Sequence, residues 1–209
     1  MDKRATMKIS IHPLFLLLLF LMIFYGNIAL YSMIILSLLW HEFGHMIAAK
    51  LVGAKIERCV ILPYGGEITL KNESQLTYSQ LTYIAIGGPI ATSLGIVLAF
   101  FFPNYLSTPV IQIQLVLLLV NMLPIWPLDG GKILCFQLLR WSKKIKVYEM
   151  IISGSFYLLS VLIIVLLYLL PSSLSLFLIS LFLWIKVIAE WRIRKYRSAF
   201  EKHVLNRLT

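Results

Sequence analysis

The chain has 209 residues, of which 60% are hydrophobic and only 13% are charged, and its net charge is +10. This composition excludes an ordinary soluble domain and indicates a polytopic membrane protein. Lys and Arg cluster at the ends of apolar runs, which is typical of the cytoplasmic flanks of membrane spans rather than of a nucleic-acid-binding patch. The two cysteines, Cys59 and Cys135, form no C-x-x-C pair, so the sequence predicts neither a disulfide framework nor a cysteine-ligated zinc site.

The apolar runs predict six membrane spans, at about 11–28, 30–49, 81–102, 110–123, 148–170 and 174–189. With the N-terminus in the cytoplasm, none of the three outer turns contains Lys or Arg, which agrees with the positive-inside rule and places both termini in the cytoplasm. We therefore expect an all-α polytopic fold. Residues 1–191 would form one membrane domain and residues 192–209 a basic cytoplasmic tail.

Residues 56–71 are too short to span a membrane and are interrupted by Pro63-Tyr64-Gly65-Gly66. Two β-rich arms around this turn predict a small re-entrant β-hairpin near the active site, buried in protein or lining a cavity. Its open edge would be able to pair with an extended substrate segment. A plain connecting loop is the alternative.

The second half of the second span contains Trp40-His41-Glu42-Phe43-Gly44-His45. Residues i and i+4 share one helix face, so His41 and His45 can direct two ring nitrogens at one ion. His-Glu-x-x-His on a helix is typical of zinc hydrolases, with the glutamate as general base. The alternative of two structural histidines in a packed core buries three ionisable groups without evident compensation.

A catalytic zinc ion needs a third protein ligand and an open fourth position. Asp129, the only aspartate beyond the N-terminal tail, follows a helix broken by two prolines, Pro124 and Pro127. Its carboxylate is therefore the candidate third ligand, and the alternative is an N-cap for a helix starting near Gly130. Asn121 would either hydrogen-bond a substrate backbone or satisfy the broken helix.

Two motifs together resemble the site-2 protease family of intramembrane zinc metalloproteases: His41-Glu42-Phe43-Gly44-His45 and Asn121-x-x-Pro124-x-x-Pro127-Leu128-Asp129-Gly130-Gly131. The segments 62–66 and 123–132 look closest to the sporulation branch of that family, which processes a sigma-factor precursor. The resemblance implies one Zn²⁺ per chain, bound by His41, His45 and Asp129, with Glu42 as the catalytic glutamate. It also implies substrate-binding roles for Asn121, Pro124, Gly65 and Gly66.

The expected function is hydrolysis of peptide bonds in membrane-spanning or membrane-associated proteins near the cytoplasmic face, in a bacterial cell or forespore membrane. Expected partners are a membrane-associated precursor substrate, inhibitory membrane proteins and the lipid bilayer, without nucleic acid. Members of the resembling branch often carry a nucleotide-sensing CBS domain after the last span. Only residues 192–209 follow here, so no CBS domain is expected.

Other functions fit the sequence less well. An aspartyl protease needs two intramembrane aspartates, and a serine protease needs a positioned nucleophile with a base. A metal transporter would carry ligands on several spans. The remaining alternative is a zinc-binding membrane adaptor that binds a partner without cutting it.

Overall fold

A computed structural model of the chain describes residues 8–11, 13, 28–62, 65–142, 145–169, 177–178 and 180–192. The predicted first span and the predicted tail lie almost wholly outside these residues. The chain divides into two compact units, with the boundary between Met122 and Leu123. The expected single membrane domain over residues 1–191 stays a prediction.

The first unit contains a small sheet and three long helices. In chain order these are β1 (Lys8–Ile11), α1 (Ile28–Leu51), β2 (Ile56–Leu62), β3 (Gly65–Leu70), a 3₁₀ turn (Glu73–Gln75), α2 (Tyr78–Ala99) and α3 (Asn104–Asn121). Helix α1 ends at Leu51 and is followed by a turn at Gly53, whose φ of 78° lets the Ala54 amide donate back to the Ala49 carbonyl at 2.9 Å. Helix α2 begins with a capping box between Thr77 and Gln80.

The predicted β-hairpin is confirmed as an antiparallel pair, β2 with β3, in which Cys59 lies opposite Ile68. The structure adds a third strand that the sequence analysis did not predict. Strand β1 pairs in parallel with β2, and Lys8 lies opposite Arg58. The strand order is β1-β2-β3, so β2 is paired on both sides. Within the described residues, β3 is therefore the hairpin strand that keeps an unpaired edge.

Helices α1 and α2 approach so closely that their backbones touch. A Cβ added to Gly87 would lie 2.6 Å from the Gly44 carbonyl oxygen and 2.7 Å from the Ala48 Cβ. The Trp40 indole nitrogen donates to the Ala91 carbonyl at 2.6 Å, one turn further along. Small residues at a helix crossing permit this approach within a membrane, and it places the face of α1 that carries His41 directly against α2.

Among the described residues, four helices are long and apolar enough to cross a membrane: α1, α2, α3 and the later helix 146–168. Their buried positions include polar side chains such as Thr92 and Gln114, whereas large apolar side chains such as Leu36 and Ile90 are exposed. This inverted pattern suits a lipid environment. Helix α3 starts earlier than predicted, because the Pro103 carbonyl accepts from the Leu106 and Ser107 amides at 2.9 Å and so begins the helix within the proline-rich link.

The second unit contains α4 (Asp129–Ser142), α5 (Ile145–Tyr168) and the helical residues 177–178 and 180–192. The Phe156 ring of α5 stacks on both Trp184 and Trp191, at 6.0 and 5.2 Å between ring centroids. The 14-residue helix α4 begins at Asp129, one residue before the start near Gly130 that the N-cap alternative expects. The sixth predicted span coincides with the helical residues 177–178 and 180–189.

Candidate metal centre

The rings of His41 and His45 converge on one point beside α2. Both side chains are buried, and their Nε2 atoms lie 3.2 Å apart with the two rings nearly perpendicular. Two imidazole nitrogens bound to one tetrahedral zinc ion at ordinary Zn–N lengths would be roughly 3.3 Å apart. The pair therefore fits a single ion, as the i, i+4 spacing predicts.

The opposite nitrogen of each ring is held by helix α2. The Nδ1 atom of His41 lies 2.8 Å from the Thr92 hydroxyl, and that of His45 lies 2.8 Å from the Ile84 carbonyl oxygen. A carbonyl only accepts, so the His45 Nδ1 carries the hydrogen and its Nε2 keeps a lone pair for a metal. The Gly88 amide also approaches His45 Nδ1, at a longer 3.2 Å, and cannot donate to a nitrogen in that tautomer.

Gly88 leaves the space in which the two Nε2 atoms meet. A Cβ at this position would lie 2.6 Å from the His41 Nε2 and would collide with the His45 Nε2. Its neighbour Gly87 permits the helix contact, so adjacent glycines serve different purposes. Small residues in a membrane helix ordinarily indicate close helix packing, so the sequence alone does not reveal this role of Gly88.

Glu42 points away from α2 toward the sheet. Its side chain is buried, and a Cβ added to Gly66 of β3 would collide with the Glu42 carboxylate. The Oε2 atom has no hydrogen-bond partner among the described residues. Burying an unpaired carboxylate oxygen is costly, so this atom requires a water or substrate group. On β2, burial raises the pKa of the Cys59 thiol, and the Glu42 charge adds to that rise.

Asp129, the predicted third ligand, belongs to the second unit, where it is buried in the first turn of α4. Its carboxylate forms a long ion pair with Lys132, at 3.8 Å. The preceding turn is fixed to α5, because the Trp126 amide donates to the Ser155 hydroxyl at 2.8 Å. Gly131 allows this turn to fold back, since a Cβ there would lie 2.5 Å from the Ile125 carbonyl.

The predicted substrate-binding residues occupy different settings. Asn121 is buried at the end of α3, and its amide nitrogen donates to the Leu117 carbonyl at 3.0 Å, which fits the alternative of satisfying the helix end. Pro124 is exposed in the second unit. Gly65 pairs with Leu62 at the tip of the hairpin, and Gly66 lies against Glu42. Substrate contact by these four residues stays a prediction.

Several known proteins resemble this chain. A family model described as Peptidase M50B-like matches residues 14–136. Stage IV sporulation protein FB of Bacillus subtilis is 28% identical over 202 residues, which cover 91% of this chain and 68% of that protein. A zinc metalloprotease of Methanocaldococcus jannaschii is 30% identical over 184 residues, covering 82% of this chain and about half, 52%, of that protein.

The solved structures include a similar fold. The site-2 protease from Methanocaldococcus jannaschii aligns with a TM-score of 0.71 and 26% identity, covering 91% of this chain and 94% of that one. The family model spans more than half of the 209 residues and includes both the histidine pair and Asp129. The chain therefore belongs to the M50B-like peptidases, as a membrane metalloprotease of the site-2 protease family.

Proposed function

We propose that this protein is an intramembrane zinc metalloendopeptidase that cuts membrane-spanning or membrane-associated substrates near the cytoplasmic face. One Zn²⁺ is bound by His41, His45 and Asp129, and Glu42 is the general base. The observation that carries the proposal is that the buried Nε2 atoms of His41 and His45 lie 3.2 Å apart. The same helix carries Glu42, whose side chain is also buried. The names of the relatives, which include a zinc metalloprotease, support the choice of metal.

The residues divide the chemistry between them. Zinc, when bound, supplies Lewis acidity toward the scissile carbonyl and toward the attacking water. Glu42 takes a proton from that water and delivers it to the nitrogen of the leaving amine. The Oε2 of this buried carboxylate has no hydrogen-bond partner in the described part of the chain and would serve this transfer. The hydrogen bonds from α2 keep both histidine rings oriented, and the surrounding apolar helices limit access of bulk water.

The substrate must present an extended backbone, because a helical segment has no free amide and carbonyl groups for the active site. The open edge of β3 supports pairing with such a segment by strand addition. Gly65 and Gly66 would give a substrate close access to this edge. Asn121 and Pro124 are the other two residues proposed to contact the substrate. Likeness to a stage IV sporulation protein supports the resemblance to the sporulation branch of the family. That resemblance implies a membrane-associated sigma-factor precursor as the substrate, and inhibitory membrane proteins are the proposed regulators.

The orientation in the membrane follows from charge. Lys50 lies in the last turn of α1, five residues after His45, and the Lys132 ammonium of α4 lies 3.8 Å from the Asp129 carboxylate. The positive-inside rule places these ends in the cytoplasm, with both termini on the same side. A bacterial cell or forespore membrane is the proposed location.

The decisive test compares wild type with Glu42→Gln during co-expression with tagged candidate precursors, with zinc measured on the same purified samples. Glu42→Gln should keep zinc and lose cleavage by about 100- to 10,000-fold, the usual contribution of general acid–base catalysis. Glu73→Gln, the same change on an exposed glutamate, is the matched control. If Glu42→Gln cuts as wild type does, the proposed mechanism is wrong. If wild type binds zinc but yields no product from any precursor, the adaptor alternative is favoured.

Asp129→Ala tests the ligand set separately. The variant should lose zinc, because two histidines alone leave the ion short of the three protein ligands typical of a catalytic site. Zinc retained at full stoichiometry would remove Asp129 from the ligand set without affecting the roles proposed for the histidines.

A further inference from the structure

Thr92 is a polar residue with no exposed surface in the middle of a membrane-spanning helix. Threonine and serine in such helices ordinarily bond to the carbonyl four residues earlier in their own helix. Two neighbours in α2 do so: Thr82 donates to the Tyr78 carbonyl and Ser93 to the Pro89 carbonyl, each at 2.9 Å. Thr92 instead reaches across to α1 and meets the His41 Nδ1 at 2.8 Å.

This difference decides between two roles for the hydroxyl. A threonine that served only its own helix would satisfy local backbone, and its loss would change helix stability slightly. The Thr92 hydroxyl is committed to a ring whose other nitrogen points at the centre of the site. Any change in the hydroxyl therefore acts on the orientation and tautomer of His41.

We infer that Thr92 is a positioning residue for the metal centre. Its oxygen accepts the hydrogen on the His41 Nδ1, which leaves the Nε2 lone pair directed at the ion. The Ile84 carbonyl does the same for His45, so α2 fixes both ligand rings from behind. This inference rests on the proposed function, because it assigns the Nε2 atoms to a metal.

The Ile84 carbonyl accepts from the His45 Nδ1 at 2.8 Å, although it lies inside the regular helix α2. A carbonyl oxygen has two lone pairs, so it can accept from a ring on the adjacent helix as well as from an amide of its own helix. Helix α2 therefore provides one supporting partner for each histidine, a side-chain hydroxyl for His41 and a backbone carbonyl for His45.

The test uses Thr92→Val, which keeps the shape of the side chain and removes the acceptor. The control is Thr82→Val, the same change at a buried position of the same helix. Apo proteins are purified in detergent, zinc affinity is measured by competition with a chromophoric chelator, and thermal unfolding of the apo forms is recorded. Loss of a metal ligand's supporting partner typically weakens metal affinity about 10- to 100-fold. We expect that loss in Thr92→Val and an unchanged affinity in Thr82→Val.

Thr92→Ser separates the hydroxyl from its packing. Serine restores the acceptor without the methyl group, so it should recover most of the zinc affinity that valine loses. A Thr92→Val protein that binds zinc as tightly as wild type would overturn the inference. So would a Thr92→Ser protein as weak as Thr92→Val, because packing would then be the cause. Failure of wild type itself to bind zinc contradicts the proposed function instead, and is recognised in the first sample measured.

Discussion

Replacing Gly88 by alanine should remove the metal while leaving the protein folded. The added Cβ would lie 2.6 Å from the His41 Nε2, where ordinary contacts begin at 3.4 Å, so that ring would have to retreat by about 0.8 Å. Zinc sites tolerate deviations of about 0.2 Å in their ligand distances. The required displacement is about four times that tolerance, and the colliding Cβ also meets His45.

The rings have little freedom to retreat, because their Nδ1 atoms are held by Thr92 and by the Ile84 carbonyl at 2.8 Å. We therefore expect zinc affinity to fall about 100-fold or more, the upper part of the range for disturbed supporting contacts. The apo fold should lose about 1–3 kcal/mol, as is usual for overpacking. The atoms met are the far ends of side chains and not backbone, so the helices themselves need not separate.

Metal affinity would be measured by chelator competition on detergent-purified protein, with thermal unfolding recorded in the presence and absence of zinc. Gly154→Ala is the control, because a Cβ at that helical position meets nothing within 4 Å. Zinc should raise the unfolding temperature of wild type and Gly154→Ala but not that of Gly88→Ala. If Gly88→Ala binds zinc within threefold of wild type, the assignment of the space beside Gly88 to the metal is incorrect.

Three further changes test other contacts. Gly66→Ala would place a Cβ 2.6 Å from the Glu42 Cδ, so cleavage should fall about 100-fold with zinc retained, as measured on precursor and metal content together. Gly44→Ala would place a Cβ 2.5 Å from the Ala91 Cβ and against the Gly87 carbonyl, so thermal unfolding in detergent should show a loss of about 1–3 kcal/mol, and unchanged stability would contradict the close helix contact. Burial raises the pKa of Cys135 to about 11. In a Cys59→Ser background, maleimide labelling of Cys135 at pH 8 should therefore be about 100-fold slower than labelling of an exposed thiol. The labelling rate should increase as the pH approaches 11.

The sequence was sufficient for the parts of the site that depend on local spacing. His41 and His45 meet because i and i+4 share a helix face, and that face is fixed once the span is recognised. The hairpin could be predicted because its turn glycines separate two β-rich arms. The start of α4 at Asp129 could also be expected, because the N-cap alternative for Asp129 places a helix start near Gly130.

The missed features depend on contacts between distant segments. Strand β1 has four residues, and each pairs with a residue of β2 fifty positions later, so no local pattern predicts the pairing. Gly88 and Thr92 acquire their roles from α1, which lies some forty to fifty residues earlier in the chain. The sequence offered one signal for the role of Thr92, a polar residue shortly after Gly-Gly-Pro in an apolar span. Its meaning required knowing that α2 packs against the face of α1 that carries the histidines.

In the proposed mechanism, the arrangement around α1 separates metal binding from proton transfer. Consecutive residues on a helix are about 100° apart, so His41 and Glu42 face different neighbours. The histidine pair faces α2, where Gly88 and Thr92 surround it, while the Glu42 carboxylate rests on β3 at Gly66. Changes in α2 should therefore lower zinc affinity more than they lower the activity of the zinc-loaded enzyme. Changes in β3 should lower activity while zinc is retained. A substrate that adds to the free edge of β3 would approach the general base through the strand that already touches it, so substrate pairing and positioning of Glu42 would depend on the same backbone.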